Sequence, residues 1–354
     1  MRRLLYANRK LPVPFARGGD AWDVHEWLLG LSHSVACTRI AIVPRGVDLE
    51  AVVGAFAAVG LLARPSTAAG RVAFEVADLA GRAYHLVLTV EADVLSVVRE
   101  HLRSRQPDAV VTAQLGSDEV AQESLARGVR CFVVINHVED ARDRLARLAD
   151  AGCTLIAGSR FLQEHYAELP TVLVQPAVDP ERYRVRRPDV GCATMINPIP
   201  PKGGATFIRL SRQLPNVQFL AVEGWSDLSM MFARNRRHNL RWQAWHPDIR
   251  HAFRQTRVLL APSVWPEAFC RSVVEAQVSG IPAIVSGRGG LPSTIGAGGI
   301  VVWDPEDLAG WCAATRRLWD DETQYAYLSR LAIENALRFR PETSVRALAA
   351  ALEL

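Results

Sequence analysis

Lysine is almost absent from this sequence: of 41 basic side chains, all but Lys10 and Lys202 are arginine. We read that bias as the mark of GC-rich bacterial coding, and it gives each surviving lysine added interest. An excess of either charge is also missing. The 41 basic groups face 37 acidic ones, a net charge of +4, too little to build the basic surface that nucleic acid requires, so no nucleic-acid partner is expected. The six cysteines, at 37, 131, 153, 192, 270 and 312, lack both C-x-x-C spacing and clustering with histidine. That argues against a disulfide framework and a bound metal, and fits a reduced cytoplasm. Long apolar runs are missing too. The longest uncharged one, 51–63, falls short of the ~20 residues a bilayer span needs. It follows Asp48, a residue type that caps helices, so a core helix is expected there. The first ten residues return to charge before any adequate apolar region, unlike a signal peptide. No transmembrane segment is expected, while peripheral membrane contact stays open.

What the sequence does have is alternation. Its 354 residues exceed what one core usually fills, so two domains are the prior. Strand-like apolar runs alternate with helix-period segments, the pattern of parallel sheets with crossover helices. In the first half the strands read as 4–7, 39–43, 84–90, 109–112, 131–135 and 154–157, with helices such as 91–105 and 117–127 between them. A second series runs through 192–196, 217–222, 258–261, 283–285 and 300–302. Between the two, periodicity stops and proline gathers in Gln175-Pro176-Ala177-Val178-Asp179-Pro180 and the charged 184–189, which marks a linker. The expectation is an α/β protein of two doubly wound units: 1–174, a linker at 175–189, 190–335, and a helical tail at 336–354.

Ligand chemistry in such folds gathers where a strand turns into a helix, because free backbone N–H groups at a helix start favour an anion. Gly18-Gly19 lies between the first strand and a helix-period run; taken alone, it reads more readily as a flexible turn. Asn197-Pro198-Ile199-Pro200-Pro201-Lys202-Gly203-Gly204 repeats the device after strand 192–196, with a lysine that adds a point charge beside the helix start. A solvated surface lysine is the simpler reading without its surroundings. His137 follows an apolar strand at what would be a carboxyl edge, a place where a lone histidine is more often structural. Finally Glu267, in a proline-bounded loop, and Glu275, inside a helix, lie eight residues apart. Two glutamates at that spacing mean little by themselves.

Their flanks carry more. Pro262-Ser263-Val264-Trp265-Pro266-Glu267-Ala268-Phe269, the Glu-x7-Glu spacing, the Ser279-Gly280-Ile281-Pro282 exit and the Gly289-Gly290-Leu291-Pro292 turn together resemble the C-terminal signature of family 4 glycosyltransferases, the glycosyl transferases group 1. Two more stretches extend the likeness. The segment 176–183 resembles the family's interdomain element, with Ala177 in place of glycine, and 197–203 is similar to its G-R-x-x-x-x-K-G loop. In that loop Lys202 and Gly203 match, and Asn197 stands where arginine is usual. The resemblance is strongest over 192–304 and weaker before 176.

The resemblance implies a GT-B fold, two Rossmann-like domains facing a central cleft, with the tail crossing back to the first. It implies retaining transfer of a sugar from a nucleoside diphosphate, UDP by family frequency, to a hydroxyl acceptor, with no cofactor and no metal. Glu267, His137 and Lys202 would form the reacting centre. Gly18, Gly19, Asn197 and Gly203 would hold the donor phosphates, Phe269, Cys270 and Arg271 would follow the sugar-binding loop, and Glu275 would accept from the ribose hydroxyls. Arg271, or one of Arg234, Arg236, Arg237 and Arg241, is a candidate replacement for the cation lost at Asn197, although that cluster of four reads more readily as a solvated face. Asn136, Glu139 and Asp140 fall on the acceptor side by position. No convincing membrane-facing helix is present, so the acceptor is expected to be a small molecule or a saccharide. Two alternatives stay open: a GT-B nucleotide-sugar epimerase or hydrolase, and a non-catalytic partner subunit, the latter motivated by Asn197, Cys270 and Ala177.

Overall fold

The computed structural model describes residues 1–43, 46–68, 71–114, 116–186, 188, 190–226 and 233–354; positions 187 and 189 of the expected linker lie outside the described residues. The chain packs as two units, Met1–Ala177 with Pro341–Leu354, and Val178–Arg340. The expected linker is thus divided, and its second part is core: Val178 and Tyr183 are buried with Phe339 in the second unit.

The first unit holds nine strands: β1 Arg2–Ala7, β2 Val35–Ile42, β3 Leu62–Ala68, β4 Arg71–Ala77, β5 Ala83–Thr89, β6 Ala109–Ala113, β7 Arg130–Ile135, β8 Thr154–Ala157 and β9 Thr171–Leu173. They form one sheet in the order β3-β4-β5-β2-β1-β6-β7-β8-β9. Alternate residues of β1 serve opposite faces. Leu4 and Tyr6 join one buried cluster, Leu5 and Ala7 the other, as a strand covered on both sides requires. The second unit repeats the plan with β10 Cys192–Ile196, β11 Phe219–Val222, β12 Leu240–Gln243, β13 Thr256–Ala261, β14 Ala283–Ser286 and β15 Gly299–Val302. All its pairings are parallel, in the order β12-β11-β10-β13-β14-β15. In each sheet one pair of neighbouring strands, β1 and β6 in the first and β10 and β13 in the second, sends its connections to opposite sides, a reversal of direction. At such a reversal the flanking loops leave in opposite directions and open a crevice at the carboxyl ends.

Two expectations need correction, and the strands β3, β4, β9 and β12 are absent from the sequence reading. The apolar run 51–63 is not one core helix: the helix is Leu49–Ala57, capped by Asp48, and only Val52 and Phe56 of it are buried. It stops because Gly60 turns the chain with φ +76°, and Leu62 already opens β3. The first sheet is also not wholly parallel, since β3-β4-β5 is an antiparallel meander. Pro65 sits in β3 at the sheet edge, where a missing N–H does no harm. Finally β9 and β12, short strands of three and four residues, carry no pattern long enough to read.

The last helix, Pro341–Leu352, packs on the helix Gly19–Leu31 of the first unit. Gly30 makes that approach possible, because a Cβ there would lie 2.3 Å from Val345 Cγ2. Leu348 and Leu352 are buried in the same core as β1.

Candidate active site

In the second unit the loops after β10 and β13, the two strands flanking the reversal, are stitched together. Pro201 O accepts the backbone N–H groups of Val264 (2.9 Å) and Trp265 (3.2 Å). Gly203, at φ +85°, lets Pro262 O come so near that a Cβ would stand 1.9 Å from it. This places Lys202 over Glu267: Nζ lies 3.1 Å from Oε1 and 3.4 Å from Oε2. Oε1 also accepts from Ser263 Oγ (2.7 Å) and Trp265 Nε1 (3.0 Å). The ammonium stands 5.1 Å above the ring of Trp225, a half-exposed residue following β11. Burial works against both charges, but the pair and its hydrogen bonds outweigh it. Glu267 is held below the usual carboxylate range and Lys202 above the usual lysine value. Both are therefore ionised at neutral pH.

The glycine pair of the sequence signature has a mechanical role here. Gly289, at φ +60°, lies where a Cβ would meet Glu267 O at 2.3 Å, and Gly290 N donates to that same carbonyl at 2.6 Å. Beyond Glu267, Phe269 packs edge-on against Phe339, and Cys270 takes a left-handed φ of +71°, the conformation that glycine adopts without cost. Burial, and next the charge of Glu267, push the Cys270 thiol up to about 11, so it is neutral. Glu275 is buried and accepts from Arg271 Nε at 2.7 Å, while Arg271 Nη2 donates to Tyr183 OH.

Asn197 follows β10 with φ +55°, is 3% exposed, and neither atom of its amide has a hydrogen-bond partner among the described residues. It lies so close to the turn after β11 that a Cβ on Gly224 would be 2.3 Å from its Cγ. The compensating cations expected for it are placed elsewhere. Arg271 is committed to Glu275. Arg241 reaches Cys192 Sγ at 3.0 Å, at the amino end of β10, a strand length of roughly 16 Å from Asn197. Arg234, Arg236 and Arg237 are exposed on the segment leading into the amino end of β12, in keeping with the solvated face that is the simpler reading of that cluster.

The first unit has its own group at the matching edge. Gly18 and Gly19 open the helix that follows β1, with no side-chain cap. The chain's own Asp20 carboxylate already occupies this turn, 2.6 Å from where a Gly18 Cβ would stand and 3.9 Å from Lys10 Nζ. His137 follows β7 and is exposed. Its ring Nε2 lies 2.7 Å from Gln114 Nε2, and Tyr166 OH donates to its backbone carbonyl and to that of Asp140. Burial raises the Asp140 carboxyl, against the pull of His137 and Arg144.

Gln114 and Trp225 are absent from the sequence-based set. Both directly follow or nearly follow a buried strand, which was the available signal. Among the described residues no group of three or more His, Cys, Asp or Glu is arranged to hold a metal ion, and no helix is long and apolar enough to cross a membrane.

Residues 199–321 match the family model described as Glycosyl transferases group 1, the segment that carries Lys202, Glu267 and Glu275. A D-inositol 3-phosphate glycosyltransferase of Corynebacterium kroppenstedtii is 37% identical over 101 residues, 28% of this chain. That match spans only 22% of the curated relative. Over the whole chain the sucrose-phosphate synthase of Thermosynechococcus elongatus superposes with a TM-score of 0.76 at 12% identity, covering 100% of this chain and 98% of that one. Anabaena HepE, solved in complex with UDP and glucose, gives 0.75 at 14% identity, with 100% of both chains covered. The fold is theirs: two Rossmann-like domains of the GT-B type.

Proposed function

We propose that this chain is a glycosyltransferase that moves a sugar from a nucleoside diphosphate, a UDP-sugar in the first instance, to a hydroxyl of a small molecule or saccharide. The observation that carries the reading is the Lys202–Glu267 pair, fixed by the loops after β10 and β13 where the second sheet reverses. A cation at the start of the helix Gly204–Gln213 suits a diphosphate leaving group, since charge and backbone dipole then act together. HepE, a chain of the same fold, binds UDP and glucose, which supports a nucleotide sugar as the donor.

In this reading the bond between the anomeric carbon and the diphosphate breaks, and the acceptor oxygen bonds to that carbon with retention. A donor phosphate oxygen takes the acceptor's proton. Glu267 is ionised and cannot deliver a proton at neutral pH; it holds the Lys202 ammonium and faces the transferred sugar. Glu275 accepts from the ribose diol, for which two carboxylate oxygens are suited. Protein groups alone stabilise the leaving diphosphate, without a metal, in the cytoplasm.

The test is a panel of nucleotide sugars with saccharide and small-molecule acceptors, read by nucleoside diphosphate release and product mass. Transfer to an acceptor supports the reading. Release without any acceptor makes the chain a hydrolase, interconversion of donor sugars an epimerase, and binding without turnover a partner subunit.

A further inference from the structure

The first sheet reverses between β1 and β6, and the residue that leaves β6 at that point is Gln114. Three observations single it out. Its backbone is left-handed at φ +58°, a conformation that a residue with a Cβ keeps only when its surroundings impose it. Ser117 imposes it here, donating to Gln114 O from both its backbone N–H (3.1 Å) and its hydroxyl (2.7 Å). The side-chain amide lies 2.7 Å from His137 Nε2. The other amide atom, Oε1, is buried without a partner among the described residues.

The orientation of that amide follows from satisfiability. With Nε2 toward the ring, the group left over is one carbonyl oxygen. With the amide reversed, it would be an NH2 with two idle donors, and orphaned buried N–H groups are rarer than under-used carbonyls. Gln114 therefore donates to His137 Nε2, which must accept, so the ring proton sits on Nδ1. The main chain of His137 is fixed as well. Its carbonyl accepts from Tyr166 OH at 3.2 Å, and the same hydroxyl donates to Asp140 O at 2.9 Å. Nδ1 has no hydrogen-bond partner among the described residues.

We infer that Gln114 is a positioning residue: it locks the His137 ring with Nδ1–H as its one free donor, available to a sugar oxygen, and offers its own Oε1 to a sugar hydroxyl. The sugar in this statement rests on the function proposed above; the locking of the ring does not. A donor and an acceptor held side by side match vicinal hydroxyls, each of which both gives and takes a hydrogen bond.

Two measurements separate the halves. Ring 15N NMR of histidine-labelled protein, with the His137 signals identified by His137→Gln, reads the tautomer without turnover. The Nδ1–H form is expected in the wild type, loss of a single fixed form in Gln114→Met, and the Nε2–H form in Gln114→Glu, whose carboxylate can only accept. The isosteric Glu variant keeps the test open if the Met variant folds poorly. An unchanged tautomer in all three proteins overturns the positioning role. Calorimetry then compares a UDP-sugar with UDP: Gln114→Met should weaken the sugar nucleotide about three- to tenfold, the value of one neutral hydrogen bond, and leave UDP unchanged. Equal sugar-nucleotide affinity in variant and wild type overturns the sugar contact. A wild-type protein that binds no sugar nucleotide overturns the functional reading, and with it that contact, while the tautomer result still decides the positioning role.

Discussion

Lys202 and Glu267 form one electrostatic unit, which ties their protonation to stability. Because the folded Glu267 carboxyl lies below its unfolded value, about 4.3, the pair contributes stability that is fully present above that pH. It is lost as pH falls through the folded pKa. The advantage of wild type over Glu267→Gln in thermal melts should therefore be constant from neutrality to about pH 5 and shrink in more acid buffer; an advantage that grew with acidity would contradict the pairing. In kinetics the same variant should lose transfer, by about 100-fold or more on the scale of one electrostatic group at a reacting centre, while nucleotide affinity survives. Glu275→Ala should weaken the nucleotide instead. The residue types of this site were legible in the sequence because the WPE loop and the lysine loop are contiguous motifs. Their pairing was not, since 65 positions separate Lys202 from Glu267 and only the strand order brings them together. Gln114 was illegible for a related reason: its partner His137 belongs to another strand.

At the scale of elements, the turns after β10 and β11 are coupled through Asn197 and Gly224. The sequence presents Asn197 as a missing arginine, yet its left-handed backbone is a position that asparagine tolerates better than longer side chains do. Gly224→Ala should overpack the turn, costing about 1–3 kcal/mol, a fall of roughly 2–12 °C in Tm for a unit of this size. Asn197→Gly removes the obstacle and accepts the positive φ, so the double variant should regain most of that loss. Additive losses in the melting curves would show that the two turns are independent. Most strands were readable as apolar runs, with β8 and β10 matched at both ends and the edges of the others off by at most four residues. The exceptions have physical causes: the middle of β3 is Arg64-Pro65-Ser66-Thr67, β4 has Glu75 within its apolar run, and β9 and β12 are too short to show a period. The helix over-read at 51–63 ends at a glycine turn that apolar composition conceals.

At the scale of the whole molecule, the second unit carries the sequence likeness and the first carries the returning helix Pro341–Leu352. Removing 341–354 strips Leu348 and Leu352 from the first core. The loss should be about 3–6 kcal/mol, from the value of two buried leucines, seen as an earlier onset of unfolding in calorimetry. An unchanged onset would mean that the helix adds nothing to the core it joins. A chelator, by contrast, should leave the transfer rate unchanged, and activity that vanished with EDTA and returned with a divalent ion would replace the protein-only account of the leaving group. The central claim is that Lys202, held on Glu267, is the cation that receives the donor diphosphate. Its most direct measurement is the affinity of UDP for wild type and for Lys202→Ala by isothermal calorimetry. Loss of one charge-assisted contact, about 1.5–3 kcal/mol, predicts an affinity roughly 10- to 150-fold weaker in the variant, and equal affinity in the two proteins would contradict the account.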